Sequence, residues 1–539
     1  MRHSKATLLA GLMMLSAPIA WSLPEGPSVQ SGVVKSQTSQ GSMTIQQLTD
    51  KAIVNWNRFS IGTHELVRVL QPNQAAILLN RVVGQDPSVI LGQLQANGNI
   101  WLLNPNGILF GAGARVDVGG LLATTLNIRD QDFLAGRYNF HQLANKPLSA
   151  VINQGELTIS PQGYVILSAP LVSNEGLIVA NLGKVALVSG QHTTLSFDTK
   201  GLINYQLATA QTTSGPVLLT PDMVSDVVRG VVQTGGIREG NLITQKDGRI
   251  FLTHGEGVTL NAGEIRANGA AGCVTLDSTQ STLLRPGSLI SVSGTQASPD
   301  AGQIRVLSQG TTWAQSKSRL EASSQTGKGG FVEVSGKVVS VGSKVELKGA
   351  TGNGQFLLDP DFLQIVAGAN GAGDLDGINP ILAGTAPGTT STVTTGWLES
   401  LTDTDIHLEA ANSVNITNGA DFNLTNSTLN VTAIAGNISF ENPATTITST
   451  RDITLTAGNN INLGSLVINP HFIRAFLGNI NVTAAVIYDR DVAGEDERAL
   501  ACYHALTGRV TQAGYYPYRL GTHGMTSLPP AQDDYGPIL

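Results

Sequence analysis

The sequence predicts an all-β protein, and more specifically a right-handed parallel β-helix, in which each coil of a solenoid consists of short strands and bends. Gly accounts for 61 of 539 residues, whereas aromatic residues make up 5% and charged residues 13%. That composition is poor for helices and suits short strands joined by tight turns. Short apolar-alternating runs recur along most of the chain, and a turn marker repeats at a spacing of twenty-odd residues.

Composition and charge limit the classes of function that the chain can have. A mean hydropathy of +0.07 is too high for a disordered chain. The net charge of −7 provides no basic surface for nucleic acid or anionic membrane, so no nucleic-acid partner is predicted. The two cysteines, Cys273 and Cys502, form neither a disulfide framework nor a metal-ligand spacing. Their scarcity suits a chain exported through an oxidising periplasm, although a low count by chance explains it equally well.

The N-terminus has the layout of a secretory signal peptide. Arg2, His3 and Lys5 form a basic start, an uncharged apolar run follows over 6–15, and 20–22 supply small residues for a cleavage site. The run is too short to span a bilayer. A buried N-terminal helix is the alternative interpretation.

The strands are short, and their spacing matters more than their number. Gly155–Ile159 and Lys184–Val188 show the period-2 alternation of strands, as does Arg249–Leu252. The triplet at 153–155 (Asn-Gln-Gly) returns at 174–176 (Asn-Glu-Gly), 21 residues later, and Gly248 and Gly272 precede strands 24 residues apart. A period in the twenties is typical of a solenoid. A β-sandwich, the competing fold, has strands every 8–12 residues and does not explain the repeated marker.

The rest of the chain divides into segments of different amino-acid composition. A stretch at 366–395 is rich in Gly and Thr and is predicted to be a linker, and strands after it alternate apolar residues with Asn or Thr that can form ladders outside the solenoid. Residues 494–513 are predicted to form a helix, with acidic residues in the first turn and Gly514 at its end. The segment after this helix, 515–521, is rich in aromatic residues, unlike the rest of the chain.

Residues 53–128 contain the strongest motif. It comprises 53–62 (IVNWNRFSIG), 79–82 (LNRV), 88–98 (SVILGQLQANG) and 101–111 (WLLNPNGILFG). This pattern closely resembles the two-partner secretion domain at the N-terminus of filamentous haemagglutinins and related exoproteins, of which the segment matched by Asn104, Pro105, Asn106, Gly107 and Ile108 is the hallmark. The resemblance implies a β-helix capped by its first residues and an outer-membrane transporter as partner.

The hallmark segment admits two interpretations. Pro105 fixes φ, Asn106-Gly107 can adopt left-handed angles, and the Asn side chains can bond to neighbouring backbone, so the segment is predicted to be a turn that holds stacked coils. Alternatively, the transporter recognises the turn and its flanking strands. A second hallmark of some family members, an upstream Asn-Pro-Asn-Leu turn, is replaced here by the residues at 71–74 (QPNQ).

Two further resemblances lie downstream. Residues 354–361 (GQFLLDPD) resemble a segment common in the passengers of these exoproteins; Asp359 and Asp361, on either side of a Pro, are predicted to lie in a solvated turn. The tail resembles the C-terminal part of vanillyl-alcohol-oxidase-type flavoproteins, in which the pair matched by Tyr518 and Arg519 lies against a phenolic substrate. The flavin-binding domain that should precede that pair is missing, so no cofactor is predicted.

The sequence therefore predicts a secreted exoprotein that passes through the periplasm and the outer membrane, either released or associated with the cell surface. It predicts an adhesin-like or haemagglutinin-like role, a receptor on a host or neighbouring cell, and no enzymatic activity. A β-helix polysaccharide lyase or hydrolase is the alternative. It requires paired carboxylates on adjacent coils, whereas the acids here are predicted to be scattered singly, at Glu156, Glu175, Glu264, Asp277 and Glu333. No catalytic, cofactor or metal residues are predicted. The predicted division is a signal peptide (1–22), a secretion domain (23–145), a β-helix passenger (146–365), a linker (366–395), Asn/Thr-rich coils (396–467) and the flavoprotein-like tail (468–539).

Overall fold

The computed structural model describes residues 23–197, 257–369, 390–441 and 445–462 as continuous stretches, together with short strands at 203–207, 217–219, 243–246, 249–252, 473–475, 480–483 and 486–488. The predicted signal peptide, the helix at 494–513 and most of the tail, including Cys502, Tyr518 and Arg519, lie outside the described residues. The described part is a parallel β-helix, which confirms the predicted fold.

Three sheets run along the solenoid. The first has fifteen strands: Ser28–Ser31, Lys51–Trp56, Ile77–Val82, Asn99–Leu103, Gly120–Thr124, Tyr164–Ala169, Lys184–Ser189, Cys273–Ser278, Gln303–Leu307, Phe331–Gly336, Gly354–Pro360, Thr404–Ala410, Thr428–Ala433, Ile453–Ala457 and Ile480–Thr483.

The second sheet follows the first at the next corner of each coil. Its parallel strands are Ser88–Ile90, Ile108–Phe110, Leu148–Asn153, Leu171–Asn174, Val258–Asn261, Ser281–Leu284, Thr311–Ala314, Val338–Val341, Ser391–Thr394, Phe362–Val366, Ser413–Ile416, Ile438–Phe440, Asn460–Asn462 and Val486–Tyr488.

The third sheet completes the coil. It consists of Val34–Ser39, Ser42–Gln47, Leu66–Leu70, Gln93–Ala96, Arg115–Val118, Glu156–Ile159, Leu177–Val179, Glu264–Arg266, Leu289–Ser291, Arg319–Glu321 and Lys344–Glu346. Further along the solenoid, a separate parallel sheet consists of Phe422–Leu424, Ile447–Ser449 and Ile473–Ala475.

In-register stacking fills the interior. Consecutive coils repeat every 20 to 30 residues, from Tyr164 to Lys184 at the shortest and from Cys273 to Gln303 at the longest, apart from three places where longer segments intervene. One interior row consists of Ile100, Leu121, Val165, Val185, Val274, Ile304, Val332, Phe356, Ile406, Leu429 and Ile453. All of them are buried in one continuous core, so each strand needs only two or three inward apolar residues.

An antiparallel sheet covers the outer face of the first coils. Tyr138–His141, His192–Phe197 and Ile203–Leu207 form it, and the short helix Asp130–Leu134 lies beside it. Outward residues of the first sheet, among them Trp101 and Ile166, are buried in a second apolar cluster with Phe133 and Tyr138. Strands buried on both faces explain the continuous apolar runs in this region.

The strand Arg249–Leu252 corrects one prediction. It pairs antiparallel with Val217–Leu219 and Ile243–Lys246 rather than stacking as a coil. The spacing between Gly248 and Gly272 is therefore not a coil repeat. The solenoid itself passes from Leu171–Asn174 to Val258–Asn261, which pair in parallel.

The N-terminal end carries the expected cap. Ser28–Ser31 pairs antiparallel with Lys51–Trp56, and Val34–Ser39 pairs antiparallel with Ser42–Gln47. All later pairs of the three solenoid sheets are parallel within the described residues. The cap therefore closes the first coil with strands of opposite direction.

Both ends of the predicted linker, 366–395, have regular secondary structure instead. Ser391–Thr394 is a strand that pairs with Phe362–Val366, and it leads into the helix Thr395–Glu399. Trp397 of that helix is buried and donates from Nε1 to the carbonyl of Ser343 at 3.1 Å. Thr and Val are β-branched, which favours a strand over a linker here. Nothing in the described ranges is a helix long and apolar enough to cross a membrane.

The Asn/Thr-rich coils have the alternation that the sequence predicts. In Thr428–Ala433 and Ile453–Ala457 every second side chain is buried, and the residues between them face outward. Outward side chains bond across coils, as when Asn462 Nδ2 donates to Ser439 Oγ at 3.2 Å. These polar ladders lie outside the apolar core.

Candidate functional site

The segment 104–107 forms a turn at the corner between the strands Asn99–Leu103 and Ile108–Phe110. The Oδ1 of Asn104 accepts from the backbone N–H of Asn106 at 2.9 Å, and the carbonyl of Asn104 accepts from the N–H of Gly107 at 3.1 Å. Gly107 has a φ of +114°, a conformation that side-chain-bearing residues rarely adopt. The predicted turn chemistry of Asn and Gly is therefore present.

The same two Asn side chains bind the preceding coil. Asn104 Nδ2 donates to the carbonyl of Asp86 and to Ser88 Oγ, both at 3.0 Å. Asn106 Nδ2 donates to the carbonyl of Gly84 at 3.1 Å and to Asn104 Oδ1 at 2.9 Å. A Cβ on Gly84 would lie 2.0 Å from the carbonyl oxygen of Asn57, so this close approach of two coils requires glycine.

The turn also binds the following segments of chain. Ser149 Oγ donates to the carbonyl of Pro105 at 2.7 Å, Lys146 Nζ donates to Asn106 Oδ1 at 3.2 Å, and Asn104 N–H donates to the carbonyl of Thr124 at 3.0 Å. The turn thus joins the coils on both sides of it. Ser149 and Lys146 had no signal in the sequence, because they lie some 40 residues away.

The burial of the segment 104–108 distinguishes its two interpretations, a turn that holds the coils and a surface that the transporter recognises. Asn104 and Ile108 are fully buried, Pro105 and Gly107 are buried, and Asn106 is 9% exposed. A folded domain therefore offers a partner almost no contact with these side chains. Because unsatisfied buried amides cost free energy, their complete hydrogen bonding favours a role in holding the coils.

A second polar network replaces the upstream hallmark that the sequence lacks. Gln71 Nε2 donates to Gln47 Oε1 at 2.9 Å, and Gln71 exchanges backbone-to-side-chain bonds with Asn97 at 2.8 and 2.9 Å. Asn73 Oδ1 accepts from the N–H of Ala75 at 3.0 Å, as Asn104 Oδ1 does from Asn106. Side-chain hydrogen bonds therefore hold the residues at 71–74 as well, with the Asn turn starting at Asn73.

Trp56 and Asn80 form a polar pair inside the solenoid. Trp56 Nε1 donates to Asn80 Oδ1 at 3.0 Å, and both side chains are buried. The next residue, Arg81, points outward, where it pairs with Asp130 at 2.6 Å and donates to the carbonyl of Ile128 at 2.7 Å. The motif residues at 53–62 and 79–82 thus fix both the interior and the outer cover.

Most of the exposed large apolar side chains in the described part of the chain lie on the first coils. Of the eight large apolar side chains that are exposed in the described part of the chain, five lie within 29–83. They are Val29, Val33, Leu48, Leu70 and Val83, each 45–55% exposed. Leu48 N–H donates to the carbonyl of Val33 at 2.9 Å, so these two lie side by side next to the cap.

The family model of the TPS secretion domain matches residues 22–267, which contain the capped coils, the two turns and the outer cover. The N-terminal part of the chain is a TPS secretion domain. This confirms the resemblance to the two-partner secretion family that residues 53–111 carry. The matched range is longer than the predicted domain at 23–145.

Two relatives from Haemophilus influenzae bear the name heme/hemopexin-binding protein. One is 32% identical over 223 residues, which cover 40% of this chain and 23% of the relative. The other is 28% identical over 256 residues, which cover 42% and 27%. The chain thus matches about a quarter of the length of each relative.

One solved structure shares the fold of the TPS secretion domain. The crystal structure of the HMW1 secretion domain from Haemophilus influenzae superposes with a TM-score of 0.52 and 22% identity, covering 88% of this chain and 98% of that one. A separate short match, 46% identical over 59 residues, is to 1'-carboxy-chondrochloren decarboxylase of Chondromyces crocatus and covers 11% of each chain. The predicted flavoprotein-like tail stays a prediction.

Beyond the TPS secretion domain, the fold gathers acids that look scattered in sequence. Asp359 lies beside Ser335 in the register, and the adjacent pairing of Leu358 with Leu408 places Glu409 next to it. Burial, then the charges of Glu409, Glu333 and Asp361, raise the pKa of Asp359 to about 6.

This arrangement corrects two predictions. Asp359 is the penultimate residue of the strand Gly354–Pro360, half-buried, so it does not lie in a solvated turn. Glu333 is not an isolated acid either, because strand stacking brings it near Asp359. Over the residues described, no group of three or more His, Cys, Asp or Glu is arranged to hold a metal ion.

Proposed function

We propose that this chain is an exoprotein that an outer-membrane two-partner-secretion transporter exports, with the capped first coils as its export address. The TPS secretion domain at 22–267 is the observation that carries the proposal. The rest of the solenoid is then passenger, secreted through the periplasm and either released or retained at the cell surface.

The two parts of the address have different roles in this proposal. The buried turn at Asn104, Pro105, Asn106, Gly107 and Ile108 acts through the fold, because its side chains are enclosed. The transporter instead contacts the apolar surface around Val33 and Leu48. Exposed apolar groups concentrated in one region of a protein commonly mark an interaction site.

The strands of the cap support this assignment. Ser28–Ser31 and Val34–Ser39 are the terminal strands of the first and third sheets, so each has one neighbour in its sheet. A terminal strand leaves backbone N–H and C=O groups that a partner strand can bond. The expected contact combines added backbone hydrogen bonds with burial of neighbouring apolar side chains.

The test replaces Val33 and Leu48 with Ser in a strain that carries the cognate transporter. Extracellular protein should fall at least about tenfold, because two lost apolar contacts of roughly 1.5 kcal/mol each exceed the roughly 1.4 kcal/mol that corresponds to a tenfold change. The matched control is Ile434→Ser, which removes an equally exposed apolar side chain from the passenger. Secretion of the double variant at the wild-type level, with an unchanged Tm, would refute this contact surface.

For the passenger we propose an adhesin-like, non-enzymatic role, with a receptor on a host or neighbouring cell. A regular solenoid surface of stacked coils suits extended contact with a partner. The name of the two Haemophilus relatives makes heme and hemopexin the first ligands to test. Binding of either to the immobilised full chain in a surface-plasmon-resonance titration would identify the ligand class.

One observation favours the second candidate, a β-helix polysaccharide hydrolase or lyase. Asp359 and Glu409 are carboxylates on adjacent coils, and the raised pKa of Asp359 is a property of a general acid. Release of reducing ends or unsaturated sugars from acidic polysaccharides, lost in Asp359→Asn, would support it. The absence of any cleavage would leave the adhesin-like role as the better proposal.

A further inference from the structure

Arg285 lies at a corner of the solenoid in a column of residues that follow the strands of the second sheet. Each residue of the column donates its backbone N–H to the coil before it. These bonds place Glu175, Ala262, Arg285, Gln315 and Gly342 one above the other, at N–O distances of 2.7–3.1 Å. Adjacent members therefore lie about 4.8 Å apart.

Three side chains in this region are buried with an unsatisfied polar atom. Arg285 is 6% exposed, Gln315 3% and Trp313 1%. Within the described ranges no hydrogen-bond partner contacts Arg285 Nη1, Gln315 Oε1 or Trp313 Nε1. Trp313 is two residues before Gln315 and pairs with Leu283, which is two residues before Arg285. Arg285 and Gln315 come directly after these two strands and are neighbours in the column, so the four residues lie together at one corner of adjacent coils.

Among the described residues, no carboxylate forms an ion pair with Arg285. Burial lowers the pKa of Arg285, and the charge of Glu175 opposes that shift. Glu175 lies two coils away, however, with Ala262 between them in the column. A buried guanidinium without a hydrogen-bonded anion is costly, whereas a bidentate carboxylate satisfies it well.

The neighbours indicate what else the ligand carries. Leu260, Leu283 and Trp313 belong to one apolar cluster on the outer face of the second sheet. Ala262 and Gly342, the members of the column on either side of Arg285 and Gln315, have the smallest side chains in it. The apolar cluster offers contact for a hydrocarbon or aromatic body.

We propose that Arg285, Trp313 and Gln315 bind a small organic carboxylate with an apolar body. The guanidinium of Arg285 and the indole N–H of Trp313 donate to the carboxylate, and Gln315 Oε1 accepts from an O–H or N–H group elsewhere on the ligand. The apolar body packs on Leu283 and the ring of Trp313. This site lies outside the motif region and is independent of the export proposal.

The test is isothermal titration calorimetry of the full chain with 3-phenylpropionate, and with 3-phenylpropanamide as the uncharged match. The carboxylate should bind and the amide should bind at least about tenfold more weakly, because hydrogen bonds to charged groups are the stronger ones. Arg285→Met should abolish carboxylate binding, and Trp313→Phe should weaken it. Arg319→Met, which removes an exposed arginine paired with Glu321, should leave it unchanged.

The stability of the variants completes the test. Arg285→Met should keep or raise the Tm of the ligand-free protein, because it removes an unpaired buried charge. Absence of binding by the wild-type chain, equal binding of acid and amide, or undiminished binding by Arg285→Met would overturn the proposal. If Arg285→Met does not fold, Trp313→Phe and Arg285→Lys decide it by the same titration, since unchanged affinity in both contradicts the site.

Discussion

Asn153 and Asn174 lie in register on adjacent coils, and the Nδ2 of Asn153 donates to the Oδ1 of Asn174 at 2.8 Å. Asn174 repeats the bond to Asn261 at 2.8 Å, and all three side chains are fully buried. The ladder thus crosses the long segment between 174 and 257 without a break. It fixes which coil stacks on which at the point where the sequence leaves the solenoid for longest.

Removal of the middle rung should destabilise the solenoid. Asn174→Ala leaves Asn153 Nδ2 and Asn261 Oδ1 without their buried partner, at a cost of roughly 2–3 kcal/mol. A lower midpoint of urea unfolding, followed by circular dichroism, checks this. Asn415→Ala is the matched control, because its partly exposed amide donates to the exposed carboxylate of Glu441, a bond whose loss should change little.

Asn104 and Asn106 should be required for export through the fold. Replacing Asn104 with Val and Asn106 with Ile removes the amides that join the turn to Asp86 and Gly84. The first coils should lose roughly 3–5 kcal/mol of stability, and secretion should be abolished. Immunoblots of medium and cells measure secretion, and limited proteolysis of the purified domain measures the fold. Normal secretion by this variant would rule out the role of the turn in export.

Stability should fall as pH rises through the titration of Asp359. The pKa of about 6 lies above the ordinary 3.8, so the folded chain holds this proton more tightly than the unfolded chain does. Stability is therefore greatest below about pH 4 for this group, decreases between pH 4 and 6, and levels off above it. The half-exposed position limits the effect to roughly 1–2 kcal/mol.

Asp359→Asn isolates that effect. The variant should raise the Tm at pH 8 and leave it nearly unchanged at pH 4, as measured by differential scanning calorimetry at both values. Asp117→Asn, on the outer face of the third sheet, provides the comparison at an exposed acid. A pH dependence that is identical in wild type and Asp359→Asn would contradict the prediction.

Tyr164 should stabilise the outer cover through Trp101. Trp101 Nε1 donates to Tyr164 Oη at 2.8 Å, and Trp101 packs against Tyr138 and Phe133 with ring centroids 4.9 and 5.3 Å apart. Tyr164→Phe leaves a buried indole N–H unpaired, which should cost roughly 1–3 kcal/mol. Denaturant unfolding followed by Trp fluorescence measures it, and a midpoint equal to that of wild type would show the bond to be dispensable.

The sequence predicted the solenoid because its strongest signal is local. Inward residues such as Val165 and Val185 alternate with other residues in strands of a few positions, and the marker at Asn153 and Asn174 reports one coil directly. The cover over the first sheet was missed. Its signal was available in Tyr164–Ala169, a strand buried at every position, since a solenoid strand open to water on one side alternates instead.

The polar sites were harder to predict for a different reason. Asn suits exposed turns and buried ladders alike, so the sequence could not show that Asn104 is enclosed. The proximity of Asp359 to Glu409 depends on a register that crosses a 50-residue interval, from Gln355 to Asp405. The separation of Arg285 from Glu175 depends on the order of residues in their column, in which Ala262 lies between them. Such relations depend on coil lengths that vary from 20 to 89 residues and were not readable from the spacing of markers.

The antiparallel cap gives the solenoid a direction of growth. One end is closed by Ser28–Ser31 and Val34–Ser39, so a new coil can be templated only on the other end. For a chain that leaves a pore with its N-terminus first, the order of arrival is then the order of folding. Once a coil has docked, the chain can slide back only if it breaks the contacts just formed. Stacking alone can therefore convert random motion of the chain into net outward movement, without a nucleotide-driven motor.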